Sequence, residues 1–145
     1  MKPQVALSSI IVELHVPNFK QVIEFYGKLG FKTVWQKPPK GQLGYLVMKK
    51  NSSVLAFFCG NSQVYNHSFF KRYPKNTPRG YGVEVCVYLS EESIGDYYNH
   101  VIKALGKKCI VEELKVKPWG SRDFRIIDPF GYYICVREPS NILEP

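Results

Sequence analysis

No apolar run in this 145-residue chain approaches the roughly 18 residues that a membrane-spanning helix needs. The opening residues 1–7 lack the long apolar stretch and small-residue cleavage site of a secretory signal. The expected compartment is therefore the cytoplasm. No CxxC pair is present. Cys59, Cys86, Cys109 and Cys135 are 27, 23 and 26 residues apart, a spacing that argues against a zinc or iron–sulfur centre. They read as four reduced thiols of a core or cavity. Also absent are GxGxxG, a P-loop and a Ser/His/Asp arrangement. Gly41-Gln42-Leu43-Gly44 is too short for a phosphate loop. Acidic residues are scarce, 12 against 20 Lys and Arg, so the net charge is +8. That balance attracts anions and repels cations at long range.

What is present suits a folded domain. An apolar fraction of 45% excludes disorder. A chain of this length buries about 70% of its unfolded surface, so no metal or disulfide staple is required. Ten Tyr and nine Phe suit a packed sheet or a cavity that stacks flat ligands.

Alternation over 10–16 predicts a strand, with Val12, Leu14 and Val16 on a dry face and Ile11, Glu13 and His15 opposite. Asn18 is a helix cap. The stripe Phe19, Val22, Ile23, Tyr26 and Leu29 predicts a helix over 19–29, closed by Gly30. Strands follow over 31–36, 44–49 and 53–59, separated by Pro38-Pro39-Lys40-Gly41 and Lys50-Asn51-Ser52. Residues 61–79 read as a connector. Phe69 and Phe70 are expected to pin it to a sheet while its bases stay solvated. Aromatics interleaved with bases can bind single-stranded nucleic acid, but the other bases are scattered, so neither nucleic acid nor membrane is an expected partner. The pattern then restarts. A strand over 83–89 has Val83, Val85, Val87 and Leu89 on its dry face. A helix spans 91–105 and is closed by Gly106. Strands cover 108–116, 122–127 and 132–138, with turns at Pro118-Trp119-Gly120 and Asp128-Pro129-Phe130-Gly131. Lys107-Lys108 and Lys115–Lys117 read as solvated faces. The order is β-α-β-β-β, twice, an α+β class. Aligned dry faces make Ile11 the counterpart of Glu84, and Leu55-Ala56 that of Ile134-Cys135. The expected organisation is one domain, 1–145, with modules at about 8–60 and 80–138 and the connector at 61–79.

The residues Val16-Pro17-Asn18, Ile23-Glu24-Phe25-Tyr26, Leu29-Gly30-Phe31, Pro118–Phe124, Asp128-Pro129-Phe130-Gly131 and Ile134–Glu138 resemble the vicinal oxygen chelate superfamily. That group includes glyoxalase I, extradiol dioxygenases, fosfomycin-resistance enzymes and bleomycin-resistance proteins. The Pro118-Trp119-Gly120 stretch is most similar to the bleomycin-resistance branch. The resemblance covers about residues 8–138 and implies two βαβββ modules curving around a cavity. Fold alone does not fix chemistry.

Metal-using relatives place His, Glu or Gln on the first and last strand of each module. Carried over, those positions are Ile11, Ala56, Glu84 and Cys135, of which only the last two can ligate. A two-residue shift would bring Glu13. A catalytic metal normally needs three protein ligands and an open position, so no metal cofactor is expected. The inward face then offers Glu13, His15, Phe58, Glu84, Tyr88, Trp119, Tyr133 and Arg137 as ligand-binding candidates: rings for stacking, polar groups for orientation. His15 can also be a satisfied core histidine, Trp119 a turn anchor, and Glu84 and Arg137 partners of each other or of Glu13, since a buried carboxylate needs one. No catalytic residue is assigned. The expected function is metal-independent binding of a small molecule, serving sequestration of or resistance to an antibiotic or toxin. A cationic drug such as bleomycin fits poorly with a charge of +8. The alternative is a metal-dependent lyase, transferase or dioxygenase. The resemblance also implies a homodimer, with the first module of one chain against the second of its partner. Connector length leaves pairing within one chain equally open.

Overall fold

The computed structural model describes residues 10–40, 43–90 and 92–139. They form two compact units that divide between Lys75 and Asn76. The first holds β1 (Val12–Val16), α1 (Phe19–Lys28), β2 (Lys32–Lys40), β3 (Leu43–Lys50) and β4 (Ser53–Cys59), then the short α2 (Asn61–Tyr65) and a 3-10 turn at Phe70–Arg72. The second holds β5 (Glu84–Tyr88), α3 (Ile94–Leu105), a 3-10 turn at Lys107–Cys109, β6 (Ile110–Val116), β7 (Arg122–Ile127) and β8 (Tyr133–Arg137). Each unit has one mixed, open sheet, ordered β1-β4-β3-β2 and β5-β8-β7-β6. No helix among the described residues is long and apolar enough to cross a membrane.

The repeat holds at the level of register. β1 runs parallel to β4 with Val12 opposite Leu55, Glu13 opposite Ala56 and His15 opposite Phe58. β5 runs parallel to β8 with Val85 opposite Ile134, Cys86 opposite Cys135 and Tyr88 opposite Arg137. Ile11 is therefore the counterpart of Glu84, as the aligned dry faces predict. Parallel neighbours need a long crossover, and α1 or α3 followed by a hairpin supplies it.

Each helix covers one face of its sheet. Asn18 caps α1 by accepting from the Gln21 backbone N–H at 3.0 Å. Gly30 adopts φ +97° just after it, a backbone that a Cβ would strain. The α1 side chains Phe19, Val22, Phe25 and Tyr26 are buried. Tyr26 packs its ring on Phe57 at 5.0 Å and on Phe31 at 6.0 Å. In the second unit Ile94, Tyr97 and Val101 of α3 are buried, and Phe124, Ile126, Ile134 and Val136 form the sheet layer beneath. Burying a side chain of this size contributes about 2 kcal/mol.

Several boundaries differ from those the sequence predicts. β1 starts at Val12, and Val12 is exposed rather than dry. Phe31 precedes β2, buried on α1 instead of paired. β2 runs on through Pro38 and Pro39 to Lys40, because it is an edge strand, where a missing N–H costs little. Gly41 and Gln42 lie outside the described residues. α3 starts at Ile94 with Ser93 as its cap residue. Val83, outside β5, is half-exposed. The connector carries α2 and the 3-10 turn. Phe69 and Phe70 pack on each other and on Tyr73, His67 and Arg72, and stay exposed instead of pinning the segment to a sheet. Lys117 is buried, not solvated.

Candidate functional site

Strand alternation places every predicted site residue on a strand on the sheet face away from the helices. In the first unit, Glu13 sits in the row Glu13–Ala56–Val47, and His15 in the row His15–Phe58–Tyr45. The Tyr45 hydroxyl donates to Glu13 Oε1 at 2.5 Å. Burial first, then this bond, pushes the Tyr45 hydroxyl up to about 12. His15 is a satisfied histidine: it is buried, with Nε2 2.9 Å from the Gly60 carbonyl and its ring 5.2 Å from Phe58. Trp35 leans edge-on against Tyr45 at 5.8 Å and is half-exposed. The first unit thus gathers Glu13, His15 and Phe58, joined by Tyr45 and Trp35.

The second unit is charged. Its rows are Glu84–Tyr133–Ile127, Cys86–Cys135–Arg125 and Tyr88–Arg137–Asp123, with Glu112 of β6 beside Arg125. Asp123 is fully buried. Its Oδ1 accepts from Arg125 Nη1 and lies 3.5 Å from Lys117 Nζ. Its Oδ2 lies 3.5 Å from Arg137 Nε. Lys117 and Lys115 both hold Glu112. These bonds, Lys115 first, pull the Glu112 carboxyl down to about 2. Buried charges survive only when paired, and here four cations, Lys115, Lys117, Arg125 and Arg137, share the carboxylates of Asp123, Glu112 and Glu84.

The partners differ from those expected. Glu84 accepts from Arg125 Nε at 3.1 Å rather than from Arg137. Arg137 instead reaches Asp123, donates to Cys135 Sγ at 3.1 Å and faces the Tyr88 hydroxyl at 3.5 Å. Trp119 is no core anchor. It is half-exposed, with its ring 5.7 Å from the Arg137 guanidinium. The second unit thus brings Glu84, Tyr88, Trp119, Tyr133 and Arg137 to one face. Sequence reasoning passed over Asp123, Arg125, Glu112 and Lys117. The alternation Asp123-Phe124-Arg125-Ile126 was the available signal, since it puts two charges on the face that Phe124 and Ile126 do not use.

The implied metal positions are only partly furnished. Ile11 and Ala56 carry no donor atom. Donor atoms of Glu84, Cys86 and Cys135 lie within 4.8 Å of one another, so Cys86 joins the two expected candidates. Glu84 and Cys135 already contact Arg125 and Arg137. A divalent cation at the set would sit against two guanidiniums, which oppose it. Burial pushes the Cys135 thiol up to about 12, with Arg125 and Arg137 acting against the rise, and a thiol must lose its proton to ligate.

No curated protein sequence matches the chain. Among solved structures, TioX from Micromonospora sp. ML1 is 19% identical, covering 90% of this chain and 98% of its own, with a TM-score of 0.68. A bleomycin-binding protein complexed with bleomycin is 16% identical, covers 92% and 98%, and has a TM-score of 0.61. Lactoylglutathione lyase from Agrobacterium tumefaciens is 20% identical, covers 95% and 96%, and also has a TM-score of 0.61. At these identities the likeness is one of fold. A family model matches residues 10–136, nearly the whole chain, and by that match the protein belongs to the glyoxalase/bleomycin resistance protein/dioxygenase superfamily.

Proposed function

We propose that the protein binds a small, partly planar molecule without a metal, and that its use is sequestration of an antibiotic or toxin. The observation that carries the reading is the pairing of the remaining donors with arginines, Glu84 with Arg125 and Cys135 with Arg137. With no donor at Ile11 or Ala56, that pairing leaves the face suited to orienting a ligand rather than activating one on a metal. Trp119 and Tyr88 flank the Arg137 guanidinium, and in the other unit Tyr45, with Trp35 edge-on against it, bonds Glu13. Rings beside a few fixed polar groups are what a flat ligand needs. The fold likeness to a bleomycin-binding protein supports the class of activity. The charge of +8 favours an anion over that drug. The same reading has the protein acting in the cytoplasm as a homodimer, with the first module of one chain facing the second of its partner across a ligand-accessible pocket.

Elemental analysis of protein purified without chelator tests the metal-free reading. Divalent metal well below one equivalent is expected. One tightly held equivalent would overturn it. The second reading, a metal-dependent lyase, transferase or dioxygenase, is favoured by the approach of Glu84, Cys86 and Cys135. It predicts stabilisation and activity on adding zinc, nickel, manganese or iron(II).

A further inference from the structure

We propose that Cys86 and Cys135 form a reversible intrachain disulfide when the protein meets a hydroperoxide, so that the centre of the second sheet is a redox modification site. Three features place the pair. Cys86 and Cys135 are direct register partners on the parallel strands β5 and β8. Adjacent strands lie about 4.8 Å apart, within the Cα separation of about 4.4–6.8 Å that disulfides span. Register partners share a face, and the two sulfurs lie within 4.8 Å of each other. The pair is also asymmetric. Cys86 is exposed and Cys135 fully buried, the arrangement of an accessible thiol beside a resolving one. Arg137 Nε already donates to Cys135 Sγ at 3.1 Å, so a cation stands ready to favour the thiolate during resolution.

The chemistry balances without a further reagent. The Cys86 thiolate attacks the terminal OH oxygen of the hydroperoxide, the O–O bond breaks, and alkoxide (hydroxide, for hydrogen peroxide) leaves and takes up the proton that the Cys86 thiol gave up, giving a sulfenic acid. Cys135 sulfur then attacks the Cys86 sulfur and the S–O bond breaks. The proton of the Cys135 thiol and the departing hydroxide leave as water. Overall, two thiols lose two electrons and two protons, and the peroxide is reduced to water and an alcohol, or to two waters if it is hydrogen peroxide. The other two cysteines are differently placed. Cys59 donates to the Pro17 carbonyl at 3.3 Å and Cys109 to the Gly106 carbonyl at 3.2 Å, and both are buried.

The test is to treat the full chain with one equivalent of hydrogen peroxide, count remaining thiols and map the peptides. Two of the four thiols should disappear and return with dithiothreitol. The tryptic peptide Gly80–Lys103 should be joined to Ile126–Arg137. In C135S, a dimedone-trapped sulfenic acid should collect on Cys86. The wild-type measurement stands even if a variant fails to fold. Four surviving thiols, a Cys86 sulfinic acid without the link, or links only between chains would each overturn the proposal.

Discussion

At Asp123, a single carboxylate holds three cations. It is fully buried, and Arg125, Lys117 and Arg137 converge on its two oxygens. Breaking a buried pair from one side leaves an uncompensated charge, which costs about 3–5 kcal/mol. D123N keeps the shape and removes the charge, so a urea titration should show a loss of about 3 kcal/mol. The exposed pair Lys28–Glu24, at 3.6 Å, is the control, and K28A should move stability by under about 0.5 kcal/mol. Glu112 supplies the pH dependence. Lys115 and Lys117 lower its folded-state pKa to about 2, while an unfolded Glu sits near 4.3. The unfolded chain therefore takes the proton first. The contribution is complete above about pH 5 and lost as pH falls toward 2. The urea midpoints of wild type and E112Q should differ at pH 7 and converge by about pH 2. A gap that persists unchanged at pH 2 would contradict this role.

Among the elements, those whose signals are local were legible in the sequence. Asn18 marks the start of α1 and Gly30 its end, because a cap bond and a positive φ are decided within a few residues. N18A should therefore cost about 1 kcal/mol, read as a lowered thermal midpoint. No change in that midpoint would mean the Asn18–Gln21 bond contributes nothing in solution. What the sequence left hidden depends on register between distant strands. Glu84 was a visible candidate, but its partner Arg125 lies 41 residues away. It meets Glu84 only because β7 and β5 both flank β8. Lys117 reads as one base in a solvated run, and only the β6–β7 hairpin brings it against Glu112 and Asp123. The exposure of Phe69 and Phe70 was equally unreadable, since two aromatic rings in a connector look the same whether they pack on a sheet or on each other.

For the whole molecule, the internal repeat was the strongest legible feature. Two modules of like order share one register, Glu13–Ala56 matching Cys86–Cys135. Their chemistry diverges, with Glu13 bonded to Tyr45 and Trp35 on Tyr45 in one unit, and an ion-pair network around Asp123 in the other. Each sheet has a helix on one face, and the proposed homodimer sets a partner copy across a ligand-accessible pocket from the other. Sedimentation at micromolar concentration should therefore report twice the chain mass of 16.7 kDa, with dissociation on dilution. A monomer that retains ligand would refute the assembly. The central claim is that ligand binding needs no metal. A thermal-shift panel of flat aromatic acids and amines, run once with EDTA and once with zinc, nickel, manganese or iron(II), addresses it most directly. The account predicts the same stabilising compounds in both runs, with acids ahead of amines. Stabilisation that appears only when metal is supplied would contradict it.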